Sequence, residues 1–240
     1  MNKKVVITTI TSYKDINSVR AQCALKTILE AKKLSIPIVV VDRNSHPEFL
    51  RKIDALKGIV IRKKRDRIDI MGPDYRLAMD KGMEITNGVF TSFIQAEKYP
   101  MVKYVKRCSR EILNDFIDLN IPARKSFYSY PLAQQYAELL GNLHFKQVTG
   151  LNYDMWFGPI FIGRRAWPYF RDYKDDYGGM WDSLTVPMIR CIKNNLQIGS
   201  TILNYKHPKE QTKNEENNID FIYKREMQLK NLTRAIDAEI

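Results

Sequence analysis

Short apolar runs alternate with helical stripes along the first part of the chain. Lys4–Ile10, Pro37–Val41 and Ile59–Arg62 are almost continuously apolar, which is typical of strands buried on both faces. Between them, apolar side chains recur at helical spacing over 19–34 and 48–56. This β-α-β-α-β order predicts a parallel, doubly wound α/β sheet with right-handed crossovers.

A fourth apolar run, Val89–Ile94, is followed by Gln95, Glu97 and Lys98 and is stopped by Pro100. Ligands of open α/β sheets bind just beyond the carboxyl ends of such strands. A carboxylate beside an ammonium at that point could hold a divalent cation and a phosphate, because Mg²⁺ takes one or two carboxylates and leaves its other positions to water and phosphate oxygens. A solvated Glu-Lys pair at a strand end is the alternative interpretation.

The second half continues the alternation without a repeat or a low-complexity linker, so we expect one domain. A turn over Met71–Gly82 leads into a helix, and Pro73 suits its first helical position. The later pattern predicts helices at 111–119, 132–143, 186–194 and 220–236, a strand within 153–165, another strand at 198–203 and a polar tail at 209–216.

The chain has 240 residues and a formal net charge of +12, from 39 basic and 27 acidic residues. This balance favours a polyanionic partner. The one dense basic cluster, Arg62–Arg65 with Arg67, could be a solvated loop, a patch in peripheral contact with a membrane, or part of a phosphate site. No RNP-type, zinc-finger or helix-turn-helix signature accompanies it, so nucleic acid is an unlikely partner.

Targeting signals are lacking in the sequence. No stretch approaches the ~20 apolar residues that span a bilayer, and the N-terminus lacks a signal-peptide pattern. Cys23, Cys108 and Cys191 are far apart and lie in apolar patterns, as expected of buried free thiols in a reducing compartment. We therefore expect a cytoplasmic protein.

Polar side chains that follow the predicted strands, or precede a helix, form one candidate set. Each has a structural explanation by itself: Asp42 and Asp182 suit helix caps, and His207 suits a turn before Pro208. The set comprises Thr9, Thr11, Tyr13, Asp42, Gln95, Glu97, Asp182 and His207.

Taken together, the order of these features resembles the nucleotide-sugar-dependent glycosyltransferases of the GT-A fold, particularly the inverting family 2. Val39–Ser45 is similar to that family's V-D-D-G-S segment, and Gly72–Ala78 is loosely similar to its Gly…Ala-Arg-Asn segment. Gln95-Ala-Glu97 falls where the metal-binding D-x-D is expected. Trp181-Asp182-Ser183 and Tyr205-Lys-His207 match the positions of the catalytic base and of a histidine that completes the metal site.

The resemblance implies a GT-A-like single domain with a nucleotide-binding half (about 1–105), an acceptor half (about 106–210) and a C-terminal helix (about 219–237). It also implies a nucleotide-diphosphate sugar as donor, an unknown acceptor hydroxyl, and Mn²⁺ or Mg²⁺ as cofactor. The implied roles are donor binding by Thr9, Thr11, Tyr13, Asp42, Arg76, Gln95 and Lys98, metal binding by Glu97 and His207, general base catalysis by Asp182, and sugar stacking by Trp156, Trp181 and Tyr153.

Gln95-Ala-Glu97 departs from the family pattern, because a neutral amide and a longer carboxylate replace two aspartates. The lost negative charge implies that the metal is held less tightly or mainly by the donor diphosphate, and the Lys98 ammonium could do part of the cation's work. A catalytically silent binding protein is therefore an alternative. A sugar-phosphate nucleotidyltransferase is a second alternative, but Thr9–Tyr13 lacks the glycine-rich loop that such an enzyme needs.

Overall fold

The computed structural model describes residues 5–63 and 70–240. Its strands are β1 (Ile7–Thr11), β2 (Ile38–Asp42), β3 (Ile59–Arg62), β4 (Phe90–Phe93), β5 (Leu119–Asn120), β6 (Ala123–Arg124), β7 (Ile160–Gly163), β8 (Ile198–Gly199) and β9 (Ile202–Leu203). Its helices are α1 (Val19–Lys33), α2 (Pro47–Ala55), α3 (Gly72–Ile85), α4 (Val105–Leu113), α5 (Leu132–Thr149), α6 (Trp167–Arg171), α7 (Asp182–Lys193), α8 (Lys209–Glu215) and α9 (Ile219–Glu239), with a 3-10 helix at Tyr99–Tyr104.

Within the described residues, one seven-stranded sheet has the order β3-β2-β1-β4-β7-β5-β8, and β6 pairs with β9 in a separate ribbon. Strands β1 to β4 run parallel to their neighbours in this group, whereas β7 is antiparallel to both β4 and β5. Helices cover both faces, and the two large apolar clusters lie on either side of the sheet's central strands. The mostly parallel α/β architecture predicted from the sequence is confirmed.

The reversed direction of β7 determines where a site can form. The carboxyl ends of β1 and β4 and the amino end of β7 meet at one edge of the sheet, because Phe93 pairs with Ile160 and with Thr8. The residues before β7 therefore approach the same edge as the residues after β4. This edge collects polar groups from both halves of the chain.

Three local predictions are corrected. The helix expected at 111–119 lies at Val105–Leu113, because the chain adopts a left-handed conformation at Asp115 (φ 59°) and then enters β5. The strand expected at 198–203 is two short strands, since β8 pairs with β5 and β9 with β6. The polar tail at 209–216 contains helix α8.

Part of the basic cluster predicted from the sequence, namely Lys64, Arg65 and Arg67, lies outside the described residues. Arg62 pairs with Asp54 at 3.6 Å and Lys63 with Asp74 at 3.9 Å. In the described ranges, no helix is long and apolar enough to cross a membrane.

A buried ion cluster around Arg124 joins β6 to α5 and to the segment that precedes β7. The guanidinium donates to Asp154 at 2.6 and 2.7 Å and also contacts Glu138. The rings of Phe127 and Tyr130 lie 4.2 and 4.9 Å from its central carbon. All three charged groups are buried, so each depends on the others for compensation of its charge.

Replacing Arg124 by methionine leaves Asp154 and Glu138 buried without a cation. We expect a loss of about 3–5 kcal/mol in the free energy of unfolding, measured by urea denaturation. Arg171→Met, which removes an exposed ion pair with Asp172, is the control and should leave the midpoint unchanged. A similar midpoint for both variants would show that the Arg124 cluster does not stabilise the fold.

Candidate functional site

A cavity of about 320 Å³ opens at the sheet edge where β1 and β4 end. Its walls come from the loop after β1, the segment after β4, the residues before β7, and helices α5, α8 and α9. Six of the site residues predicted from the sequence line it: Thr11, Tyr13, Gln95, Glu97, Lys98 and His207. The remaining four, Thr9, Asp42, Arg76 and Asp182, are outside its lining.

Asp42 and Arg76 are engaged by other parts of the protein. The Asp42 carboxylate accepts hydrogen bonds from the Thr11 hydroxyl at 2.7 Å and the Ser45 amide at 2.9 Å, so it shapes the loop that follows β2. The Arg76 guanidinium donates two hydrogen bonds to Asp175, at 2.8 and 2.7 Å. Thr9 is buried within β1.

Asp182 organises the loop before α7. Its carboxylate accepts from the Tyr173 hydroxyl at 2.8 Å and from the amides of Gly179 and Met180 at 3.2 and 2.8 Å. The adjacent residues Met180 and Trp181 do reach the cavity. Asp182 therefore positions a wall of the site, whereas the sequence predicted a direct contact with the substrate.

Glu97 contacts two partners that also line the cavity. Its carboxylate forms an ion pair with Arg20 of α1 and accepts a hydrogen bond from the Tyr13 hydroxyl. Burial alone would raise the pKa of Glu97, but Arg20 and Tyr13 hold it below its usual value. The carboxylate is therefore ionised at neutral pH.

Lys98 is a buried cation without a carboxylate partner among the described residues. Its ammonium donates to the Phe157 carbonyl at 2.7 Å and to the Tyr130 hydroxyl at 3.3 Å, and it lies 4.6 Å from the centre of the Phe157 ring. Burial lowers the pKa of Lys98 to about 7. An anion entering the cavity would restore the charged form, because it replaces the missing counter-charge.

His207 lies in the cavity as a neutral imidazole. Its ring stacks on Tyr130 with centroids 4.4 Å apart, and burial together with Lys98 lowers its pKa to about 2. The Thr212 hydroxyl donates to the Ser129 carbonyl at 2.7 Å, so the contact at 2.9 Å between His207 Nδ1 and Thr212 Oγ1 places the ring proton on Nδ1. The other ring nitrogen, Nε2, then keeps a lone pair, as a metal ligand requires.

Sequence reasoning missed a second group of cations. Arg20 of α1 and Lys224 and Arg225 of α9 line the same cavity. Lys224 makes no hydrogen bond or ion pair with the described residues, and burial and the neighbouring Arg20 lower its pKa to about 8. The available signal was the placement of Lys224, Arg225 and Gln228 in a helix whose next turns, at Leu232 and Ile236, are buried.

Aromatic side chains form the apolar walls. Trp156, Trp181 and Tyr75 line the cavity, whereas Tyr153 does not. Gly141 of α5 lets the Trp156 ring approach closely, because a Cβ atom at this position would lie 2.4 Å from the ring. Flat apolar faces beside cations fit a ligand that has both a ring and a phosphate.

The residues fit a divalent cation in part. In the portion of the chain that the structure describes, no group of three or more His, Cys, Asp or Glu side chains could hold a metal ion. Glu97, His207 and the Gln95 side-chain oxygen, which is buried without a hydrogen-bond partner, do line one cavity. They suit a metal whose remaining positions are filled by phosphate oxygens.

Comparisons with protein-family models and with curated protein sequences find no match. Among solved structures, glucosyl-3-phosphoglycerate synthase from Mycobacterium tuberculosis, in complex with Mn²⁺, uridine diphosphate and its product, has a TM-score of 0.65 at 12% identity. That match covers 98% of this chain and 81% of the other. A protein assigned as a nucleotide-diphospho-sugar transferase from Desulfovibrio desulfuricans has a TM-score of 0.52 at 10% identity, with 97% of each chain covered. The chain therefore has the GT-A-like fold that its sequence predicted.

Proposed function

We propose that this protein is a glycosyltransferase that moves a sugar from a nucleotide-diphosphate donor to an acceptor hydroxyl. The observation that carries the proposal is the cavity at the sheet edge, whose lining brings together aromatic side chains and two ammonium groups, of Lys98 and Lys224, that form no ion pair with a carboxylate of the described residues. A buried ammonium such as that of Lys98 is costly unless an anion joins it. A donor diphosphate supplies that anion.

The neighbouring structures support this donor class. The Mycobacterium tuberculosis synthase binds Mn²⁺, UDP-glucose and phosphoglyceric acid. For this chain we propose a nucleoside diphosphate seated against Thr11 and Tyr13, with its phosphates at Lys98, Lys224 and Arg225. Trp156 and Trp181 then provide stacking surfaces for the donor sugar.

We further propose that Glu97, His207 and the Gln95 oxygen hold Mn²⁺ or Mg²⁺ together with the donor phosphates. When bound, the metal would neutralise charge on the diphosphate. Arg20 also pairs with Glu97. The metal would therefore have to replace Arg20 as the partner of Glu97. We expect the metal affinity to be higher when the nucleotide is bound, because the diphosphate oxygens then supply further ligands.

In the proposed reaction, the acceptor oxygen forms a bond to the anomeric carbon while the bond to the diphosphate breaks. Negative charge grows on the leaving diphosphate, so cations placed there stabilise the transition state more than the ground state. Lys98 gives this effect directly, because burial by aromatic side chains strengthens its interaction with an anion.

An inverting course needs a carboxylate that takes the acceptor proton. We propose Glu215 for this role, because it lines the cavity and its Oε2 is buried without a hydrogen bond, 3.7 Å from the Arg225 guanidinium with which it forms an ion pair. Its other oxygen accepts from Gln211 at 3.0 Å, which fixes its orientation. Asp182, the base implied by the family resemblance, already accepts three hydrogen bonds outside the cavity lining.

The proposed function is tested by incubation with UDP- and GDP-sugars, with and without Mn²⁺. We expect metal-dependent release of the nucleoside diphosphate from one donor. The Glu97→Gln variant should lose most of the Mn²⁺ effect on nucleotide affinity in calorimetry, and Glu84→Gln, an exposed acid, is its control.

The outcomes of this test are separable. Equal nucleotide affinity with and without Mn²⁺ would contradict the metal proposal alone. Binding without turnover across donors and acceptors would favour the catalytically silent binding protein. Lack of binding across the donor panel would overturn the proposed function.

Lys98→Met and Lys224→Met should each weaken nucleoside diphosphate binding roughly tenfold or more, since charged hydrogen bonds contribute about 1.5–3 kcal/mol. The wild-type affinity should fall as the pH rises above about 7, because Lys98 loses its proton there. Lys98→Met should flatten this dependence. The exposed Lys103→Met is the control in both titrations. Unchanged affinity in both cavity variants would place the phosphates elsewhere.

Glu215→Gln should lower kcat for transfer by about 10²–10⁴-fold while leaving nucleotide affinity within a few-fold, as expected for loss of a general base. Asp182→Asn should retain transfer within about tenfold of the wild type, because its carboxylate supports a loop. The reverse ranking of the two variants would restore Asp182 as the base. Circular dichroism of both variants checks that the fold is intact.

A further inference from the structure

Helix α5 exposes a stripe of large apolar side chains to solvent. The exposed fractions are 53% for Leu132, 61% for Tyr136, 46% for Leu139, 55% for Leu140 and 60% for Leu143. These five residues, called the α5 stripe below, lie on one face of the helix. The structure packs the opposite face of α5 inside the protein, and that face includes Ala137, Gly141 and Phe145.

The spacing of the α5 stripe favours a second helix as its occupant. Leu132, Tyr136, Leu139 and Leu143 follow intervals of four, three and four residues, which is the seam of paired helices. A helix that lies on a membrane combines its apolar face with a polar face rich in Lys and Arg. Helix α5 has one lysine, Lys146 in its last turn.

Charges at the two ends of the stripe are complementary under a two-fold axis. Glu216 lies at the start of α5, where its carboxylate accepts from the Leu132 amide at 3.3 Å. Lys146 is exposed at the other end. When two copies of α5 pack antiparallel, Lys146 of each copy comes to Glu216 of the other, as the self-complementarity of an isologous interface demands.

A groove beside the stripe offers room for a side chain from the second copy. It has a volume of about 230 Å³ and lies between the starts of α5 and α9, with Leu132, Tyr136, Phe221 and Ile222 in its lining. In the antiparallel arrangement the residue opposite this groove is Leu143 of the second copy. The groove could therefore accept the Leu143 side chain of the second copy, as a knob packs into a hole in paired helices.

We propose that the protein forms a homodimer through antiparallel packing of its α5 stripes. The stripe exposes on the order of 500 Å² of apolar surface, the size of the largest apolar patch on a typical monomer, which is often functional. Two copies would bury on the order of 1,000 Å², close to the size at which a specific interface begins. Because Gln134 and Glu138 on the inner face of α5 line the cavity, the interface lies directly behind the candidate site.

Sedimentation equilibrium at micromolar concentration tests the dimer without any use of activity. We expect a dimer for the wild type and a monomer for the double variant Leu139→Glu, Leu143→Glu. The matched control is Phe116→Glu with Ile202→Glu, at positions that are 72% and 63% exposed outside α5; it should remain dimeric. Circular dichroism should show equal helix content in all three proteins.

A charge exchange tests the antiparallel arrangement itself. Lys146→Glu alone and Glu216→Lys alone should each weaken the dimer about two- to fivefold, and the combined variant should recover the wild-type constant. If the losses of dimer affinity in the two single variants simply add in the combined variant, the antiparallel geometry is wrong. A monomeric wild type would overturn the dimer. A monomer that co-floats with anionic lipid vesicles through the stripe would show instead that the stripe binds membrane.

Discussion

Uncompensated positive charge at the polar edge of the sheet is the constraint on which the site depends. Lys98 lies among aromatic rings, and neither Lys98 nor Lys224 forms an ion pair with a carboxylate of the described residues. Arg225 lines the same cavity and pairs with Glu215 at 3.7 Å. Burying cations in this way costs free energy, which the surrounding fold must supply. The Arg124 guanidinium packs against Tyr130 and Phe157, the two residues that accept hydrogen bonds from Lys98. An anion bound beside Lys98 would recover part of that free energy.

The direction of β7 explains why groups so distant in sequence meet. A fully parallel sheet would bring the residues after each strand to the edge and send those before each strand to the opposite edge. Since β7 is antiparallel, Trp156 and Phe157 arrive before the strand at the edge where Gln95 and Glu97 leave β4. Helix α9 then packs along α5 and α7 and closes the cavity with Lys224 and Arg225. The site thus combines residues that follow β1 and β4 with residues of the late helix α9.

The sequence predicted the location of those site residues whose position depends only on the strand order and direction. Thr11, Tyr13, Gln95 and Glu97 follow strands of a parallel sheet, so their convergence required only the correct strand assignment. Arg76 and Asp182 lie outside the cavity lining, where local partners bind them: Asp175 binds Arg76, and the Gly179 and Met180 amides bind Asp182. The pattern of strands in a sequence does not show whether a side chain will bind a neighbouring loop or point into the cavity.

The groups that were missed belong to helices, where the packed face depends on what the helix meets. Lys224 and Arg225 enter the cavity only because α9 lies across α5, and a helical stripe by itself does not show which neighbour it packs against. Helix α5 illustrates the same limit from the other side: its most apolar face is exposed, while Gln134 and Glu138 face inward to the ligand cavity. The two polar residues on the otherwise apolar inner face would be explained by a charged ligand in the cavity, and the apolar outer face by contact with another protein surface. The binding of an anion and the association of two copies would then depend on opposite sides of one helix, so a rigid α5 would link the geometry of the site to the state of the interface.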